Sequence, residues 1–274
     1  MRIKNFGFGV LHMIAANECG LFVRFPGATS LKQGPGRNVV SCQEWMKASN
    51  FADRKVSKMG FEESSCKSRR GALIVFEGCD HSGKTTQAKR LVEALVAAGK
   101  PSIFMCFPDR STQIGGIINS YLSCQNEVED HAIHLLFSAN RWELLPKIMS
   151  NLKEGTNVII DRYAFSGVAF SAAKEGMPLE WCKKSDVGLP KPDLVLFLDI
   201  SPEEAQRRGQ FGEERYEKKE FQKRVYANFK LLMDDTWEII NGHKTVNELQ
   251  EIIQTRTTHT IAEVKDQKID KLWI

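Results

Sequence analysis

Gly78-Cys79-Asp80-His81-Ser82-Gly83-Lys84-Thr85-Thr86 follows directly on an apolar run, Ala72 to Glu77, and leads into a stretch with helical spacing from Lys84. The nine residues satisfy G-x-x-x-x-G-K-[ST] in the order strand, glycine-rich turn, helix. Glycines let such a turn wrap until successive backbone N–H groups point inward at phosphate oxygens. The N-terminus of the following helix adds partial positive charge to the same place. The pattern predicts that Gly78, His81, Ser82, Gly83, Lys84, Thr85 and Thr86 line a bound ATP. Lys84 is expected to reach the β- and γ-phosphates, with the Thr85 hydroxyl on Mg²⁺.

Working outward from this loop, short β-rich runs alternate with longer helical ones. Ala72 to Glu77, Ser102 to Phe107, Thr156 to Ile160, Leu194 to Asp199 and Trp237 to Asn241 read as five strands. Runs that are apolar throughout are expected to be buried on both faces, as in a parallel sheet. Helical spacing is found over 84–98, 112–122, 130–152, 178–185, 202–208, 218–236 and 245–262. This alternation predicts an α/β protein with a three-layer α/β/α sandwich, a five-stranded parallel sheet and the P-loop NTPase fold. The domain is expected over residues 70–274, with a mobile flap at about 207–217.

Upstream, residues 1–69 lack sustained periodicity and include the loose tract Gly34-Pro35-Gly36. They read as a disordered leader or an organellar transit segment. Residues 1–58 hold nine Lys/Arg against three acids, whereas the remaining 216 residues carry 29 basic and 31 acidic side chains. A nearly neutral body argues against a nucleic-acid surface. No apolar run approaches the roughly 20 residues that span a bilayer, so no membrane association is expected. The seven cysteines are odd in number, widely spaced and form no C-x-x-C pair, which disfavours a disulfide framework or a zinc site. The location expected is cytoplasmic, or mitochondrial or otherwise organellar if the leader is a transit peptide.

A phosphate loop alone does not separate a GTPase, a motor and a small-molecule kinase. There is no N-K-x-D after the third strand to read guanine. Asp161-Arg162-Tyr163 instead places an acid, a cation and an aromatic at the carboxyl end of a strand, where open α/β sheets bind ligands. Asp161 is a candidate Mg²⁺ ligand, and Arg162 a bridge between donor and acceptor phosphates. Phe107-Pro108-Asp109-Arg110 closes the second strand, and Phe137 and Arg141 share a helix face at i and i+4. The run from Arg207 to Glu217 carries arginines around two glycines, suiting a flap that closes over polyphosphate and excludes water.

These residues resemble the thymidylate kinase family of the eukaryotic type, a group of P-loop nucleoside monophosphate kinases. The resemblance rests on Phe107 to Arg110, on Asp130-His131 through Phe137-Ser138-Ala139-Asn140-Arg141-Trp142-Glu143, and on Asp161-Arg162-Tyr163-Ala164-Phe165-Ser166-Gly167-Val168-Ala169-Phe170. Gly188-Leu189-Pro190-Lys191-Pro192-Asp193 and the flap add to it. It implies transfer of the γ-phosphoryl group of ATP to dTMP, with Mg²⁺, in a homodimer formed through the helices after the second and third strands. It also implies roles: Asp80 on the deoxyribose 3′-hydroxyl, Phe137 stacked on thymine, Arg141 on its O4, and Arg110 and Arg162 on the acceptor phosphate. Phe107, Gly167, Phe170 and Tyr216 would line the pocket, with Phe170 crowding a ribose 2′-hydroxyl and Arg208 lying against adenine. Catalytic roles fall to Lys84, Arg162 and Asp80.

One position departs from the family. His81 stands where eukaryotic members usually carry Arg, so a side chain whose charge depends on pH replaces a permanent cation. Arg207, Arg208 and Arg215 of the flap are the expected substitutes. Another nucleoside monophosphate kinase of different or broader specificity is the alternative activity, and a nucleotide-binding module without catalysis the alternative class.

Overall fold

The computed structural model describes residues 69–207 and 214–274. The leader, together with Arg208 and the flap tip, lies outside the described residues. Five strands, β1 (Leu73–Glu77), β2 (Ser102–Cys106), β3 (Asn157–Asp161), β4 (Leu194–Asp199) and β5 (Trp237–Asn241), form one sheet in the order β2-β3-β1-β4-β5. Every neighbouring pair is parallel. The register fixes where the chemistry sits: Phe76 lies opposite Asp161 and Glu77 opposite Phe197, so the loops after β1, β3 and β4 emerge side by side.

The three inner strands are buried nearly throughout, whereas the edges β2 and β5 are partly exposed. Alternate residues divide between the faces because successive strand side chains point opposite ways. Leu73, Val75, Val158, Ile160, Val195 and Phe197 pack on one face. Ile74, Phe76, Ile159, Leu196 and Leu198 pack on the other. Helices α1 (Lys84–Ala97) and α8 (Val246–Val264) cover the second face through Leu91, Leu95, Leu249 and Ile253. Helices α3 (Asp130–Lys153), α4 (Ala164–Ser171) and α7 (Lys219–Leu232) cover the first through Ile148, Leu152, Phe165, Val168, Val225 and Phe229. The result is the expected α/β/α sandwich. Helices α2 (Gln113–Leu122), α5 (Leu179–Lys184) and α6 (Pro202–Arg207) complete it.

Helix α4 has no counterpart in the sequence reading. Six of its eight residues are buried, including Phe165, Val168 and Ala169. A helix enclosed on nearly all sides shows no amphipathic period, so its pattern carries no helical signature. Elsewhere the boundaries shift only at the ends: α7 stops at Leu232 rather than 236, because Met233 adopts extended backbone (ψ 135°). Helices α2 and α8 begin at side-chain caps, Thr112 and Thr245, and the latter forms a reciprocal capping box with Glu248.

Arg70, just before β1, is tied to the loop before β4 and to the C-terminal stretch. Its guanidinium makes two 2.7 Å bonds to Asp193 and donates from Nε to the Gln267 carbonyl. Among the described residues, no helix is long and apolar enough to cross a membrane.

Candidate active site

The loop between β1 and α1 turns through left-handed backbone at Gly83 (φ 92°) and at His81 (φ 58°). At Gly78, a Cβ would lie 2.8 Å from the Leu198 carbonyl oxygen, so a side chain is excluded by close approach to β4. Lys84 Nζ is folded into the loop, donating to the Cys79 carbonyl at 2.6 Å and to Ser82 Oγ at 3.1 Å. Burial, and then the charge of Arg162, lower the Lys84 ammonium to about 8. A charge disfavoured in this way gains strongly from any anion that enters beside it.

Thr85 Oγ1 donates to Asp161 Oδ2. The other carboxylate oxygen of Asp161 is buried with no hydrogen-bond partner among the described residues. A hydroxyl beside a carboxylate with an unused oxygen fits Mg²⁺, which takes few protein ligands and completes its shell with water and phosphate. No cluster of three or more His, Cys, Asp or Glu able to hold a metal occurs among the described residues.

Just after β3, Arg162 adopts a positive φ of 65° with its N–H bonded to the Phe76 carbonyl, which turns the chain sharply at the carboxyl ends of the strands. Its guanidinium reaches Asp80 of the phosphate loop, the Gly78 carbonyl and Ser166 Oγ. It also lies 5.2 Å from the centre of the Phe170 ring. Behind this turn sits Glu77, fully buried at the end of β1. Its Oε1 accepts the N–H groups of Tyr163 and Ser166 at 2.9 and 3.0 Å, and its Oε2 accepts Ser166 Oγ at 2.5 Å. Burial raises the Glu77 carboxyl, outweighing the hydrogen bond from Ser166 and the charge of Arg162. Glu77 thus holds the N-terminus of α4 against the sheet and, through Ser166, steadies Arg162.

A cleft of about 230 Å³ opens between this turn and helices α2 and α3. Arg141 and Phe137 line it from α3, Gly167 and Phe170 from α4, and Phe107 and Arg110 from the turn after β2. That turn is pinned by Asn140, whose Oδ1 accepts the Asp109 N–H at 2.7 Å. His134, one turn before Ser138 on α3, bonds Ser171 Oγ at 2.8 Å and Ser185 Oγ at 3.1 Å. Burial and the nearby Arg141 charge push His134 down to about 4, so it is neutral at physiological pH.

The described part of the flap begins at Glu214, which pairs with Arg110 at 2.7 Å. Tyr216 stacks on Phe221 with ring centres 5.0 Å apart. Glu217 meets His81 Nε2 at 2.9 Å, joining the flap to the phosphate loop. Gln222 of α7 donates to Asp80 Oδ2 at 2.6 Å.

The thymidylate kinase family model matches residues 76–253. A thymidylate kinase of zebrafish, Danio rerio, is 50% identical over 208 residues, which cover 75% of this chain and 98% of that protein. The chain belongs to the thymidylate kinase family. The human thymidylate kinase is also 50% identical over 208 residues, with the same coverage. The solved thymidylate kinase of Candida albicans superposes with a TM-score of 0.63 at 40% identity, covering 70% of this chain and 95% of that one. As a member of this family, the chain is an ATP-dependent nucleoside monophosphate kinase.

All nine residues expected on the acceptor side (Asp80, Phe107, Arg110, Phe137, Arg141, Arg162, Gly167, Phe170 and Tyr216) line this cleft. Thr85 and Asp161 meet, and Lys84 lies at the neighbouring loop. Arg208, expected against adenine, lies outside the described residues. Arg215 differs from expectation: it stacks 4.1 Å over Tyr121 and pairs with Glu127 at 2.7 Å, so this flap cation is engaged by the α2–α3 connection. Four residues escaped the sequence reading: Glu77, Asp186, Gln222 and Glu217. Each acts through partners between 45 and 142 positions away, so no local pattern marks it.

Proposed function

We propose that this chain transfers the γ-phosphoryl group of ATP to the 5′-phosphate of dTMP, giving dTDP and ADP, in the cleft between the phosphate loop and helices α2 to α4. The observation that carries this reading is the direct link between Arg162 and Asp80. It supports the reading because Arg162, the cation proposed for the acceptor phosphate, contacts Asp80 of the loop proposed to hold the donor.

An acceptor monophosphate has its second pKa near 6, so at neutral pH its attacking oxygen is already largely ionised. No general base is required. Catalysis then consists of in-line positioning and neutralisation of charge. Lys84 would bind the transferring group, and Arg162 and Arg110 the acceptor phosphate. Asp80 would accept the deoxyribose 3′-hydroxyl, with Phe170 crowding any 2′-hydroxyl. Phe137 would stack on thymine while Arg141 donates to O4. Thr85 and Asp161 would hold Mg²⁺, which supplies charge neutralisation on the β- and γ-phosphate oxygens. His81 would face the same phosphates from a loop that Glu217 clamps to the flap.

We include a homodimer in this reading, supported by Ile117 of α2 and Leu135 and Trp142 of α3, apolar side chains left 48%, 49% and 37% exposed. Sedimentation of the purified protein tests it. The basic, acid-poor residues 1–58 support a targeting role for the leader, with the cytoplasm as the location without it. The activity itself is tested by a coupled assay with ATP and a panel of dTMP, dUMP, dCMP, AMP and UMP. The highest kcat/KM is expected for dTMP, and equal or greater turnover of another monophosphate would overturn the specificity.

A further inference from the structure

Arg141 is a charged side chain only 2% exposed, and the acid that meets it, Asp186, is 0% exposed. Nε donates to Asp186 Oδ1 at 3.0 Å and Nη2 to Oδ2 at 2.6 Å, the two-pronged geometry that fixes a guanidinium plane. The carboxylate is itself anchored. Ser138 Oγ donates to its Oδ1 at 2.8 Å and also reaches the Ser185 carbonyl at 2.9 Å. The Asp186 N–H closes the end of α5 by bonding the Lys183 carbonyl. The guanidinium also packs closely against Gly167, where a Cβ would come within 2.7 Å of Nη2 and 2.9 Å of Nη1.

A buried ion pair is a weak device for stability, since desolvation of two charges offsets most of their attraction. This one borders the cleft, which Arg141 lines. Guanidinium offers five donors and no acceptor. Asp186 takes the Nε proton and one Nη2 proton, leaving the other Nη protons for a base in the cleft. A donor-only surface held at one angle satisfies an oxo group but leaves an exocyclic amine facing another donor.

We propose that Asp186 is a positioning residue of the nucleobase subsite: it fixes the Arg141 guanidinium and so sets the preference for a 4-oxo over a 4-amino pyrimidine nucleotide. The proposal rests on the reading in which Arg141 meets the base. Asp186 is fully buried behind Arg141 and does not itself line the cleft, so its loss is expected to act on binding and selectivity rather than on the transfer step.

Steady-state kinetics with dTMP and dCMP on the full chain, for wild type, Asp186→Asn, Arg141→Gln and the double variant, test it. Asp186→Asn is expected to raise the KM for dTMP about tenfold or more, the scale of a lost charge-assisted hydrogen bond, with kcat within about threefold. The dTMP to dCMP ratio of kcat/KM falls by a similar factor. In the Arg141→Gln background the same substitution changes KM by less than about twofold, because its route of action is already gone. Unchanged KM and selectivity in Asp186→Asn overturn the proposal, as do effects of Asp186→Asn and Arg141→Gln that simply multiply. Wild-type KM and selectivity in Arg141→Gln would instead remove the subsite reading on which it rests. Should Asp186→Asn fail to fold, Ser138→Ala removes one anchor of the carboxylate. It is expected to raise the dTMP KM severalfold at constant kcat, and a wild-type KM there overturns the proposal equally.

Discussion

Lys84, Glu77 and His81 show how much single side chains carry. Lys84→Ala removes the ammonium proposed to face the transferring group, and kcat is expected to fall by about 10²–10³-fold or more at nearly unchanged thermal stability. Activity within tenfold of wild type, measured in the coupled assay, would contradict the role given to the loop. Glu77 sits on the folded side of a pH linkage, because burial raises its carboxyl above the ordinary range. Above the ordinary carboxylate pKa, the unfolded chain releases a proton that the folded chain retains. This contribution to stability is therefore complete at lower pH and is lost as pH rises through the folded value. Glu77→Gln keeps an acceptor for the Tyr163 and Ser166 N–H groups while removing the titration. Urea denaturation between pH 5 and 8 should show a shallower loss of stability in the variant, and parallel curves would refute the assignment. At position 81, His81→Arg should raise kcat with little change in the KM for dTMP, since on the proposed reading a permanent charge would then face the phosphates. Equal kcat values would show that position 81 contributes no charge to the transition state.

Among the elements, the site depends on two close approaches. Helix α2 begins against the turn after β2, and at Gly115 a Cβ would stand 1.8 Å from the Asp109 carbonyl oxygen. That clash is with backbone, which cannot rotate away. Gly115→Ala is expected to cost about 1–3 kcal/mol of stability and to shift Arg110 off the acceptor phosphate. A lowered Tm together with a raised KM for dTMP would be the signature, and a wild-type Tm would mean that the helix start relaxes freely. Helix α4 meets α3 at Gly167 and Arg141 in a similarly tight contact. It was the one described helix absent from the sequence reading, because a short segment buried almost all round has no polar face to mark its period.

For the whole molecule, Arg70 just before β1 binds Asp193 and the carbonyls of Gln267 and Lys268. Each of these partners of Arg70 lies at position 193 or beyond. A chain starting at Met59 should keep its dTMP kinase activity and a similar Tm, whereas loss of soluble protein on truncation would give the leader a structural part. Removing the clasp instead, in Arg70→Ala, leaves the largely buried Asp193 carboxylate without its ion-pair partner. A lower Tm is expected, because a buried charge left unpaired is costly.

The sequence by itself determined the layered sheet, the phosphate loop and most of the cleft. Those features are written in local periods and short motifs: apolar runs of five or six residues, glycines at 78 and 83 ahead of Lys84, and arginines at strand ends. Only the tertiary structure decided which of these residues are held, and by what. Asp161 completes a pair with Thr85 from 76 positions away, Glu77 supports a helix that the pattern concealed, and Asp186 fixes an arginine 45 residues earlier. Arg215, a cation like the others in sequence, is drawn to Tyr121 and Glu127 by neighbours that no local spacing announces. The physical reason is common to all four. A buried charge or hydrogen bond is satisfied by whatever the folded chain brings within about 3 Å, and that partner is set by topology rather than by proximity along the sequence.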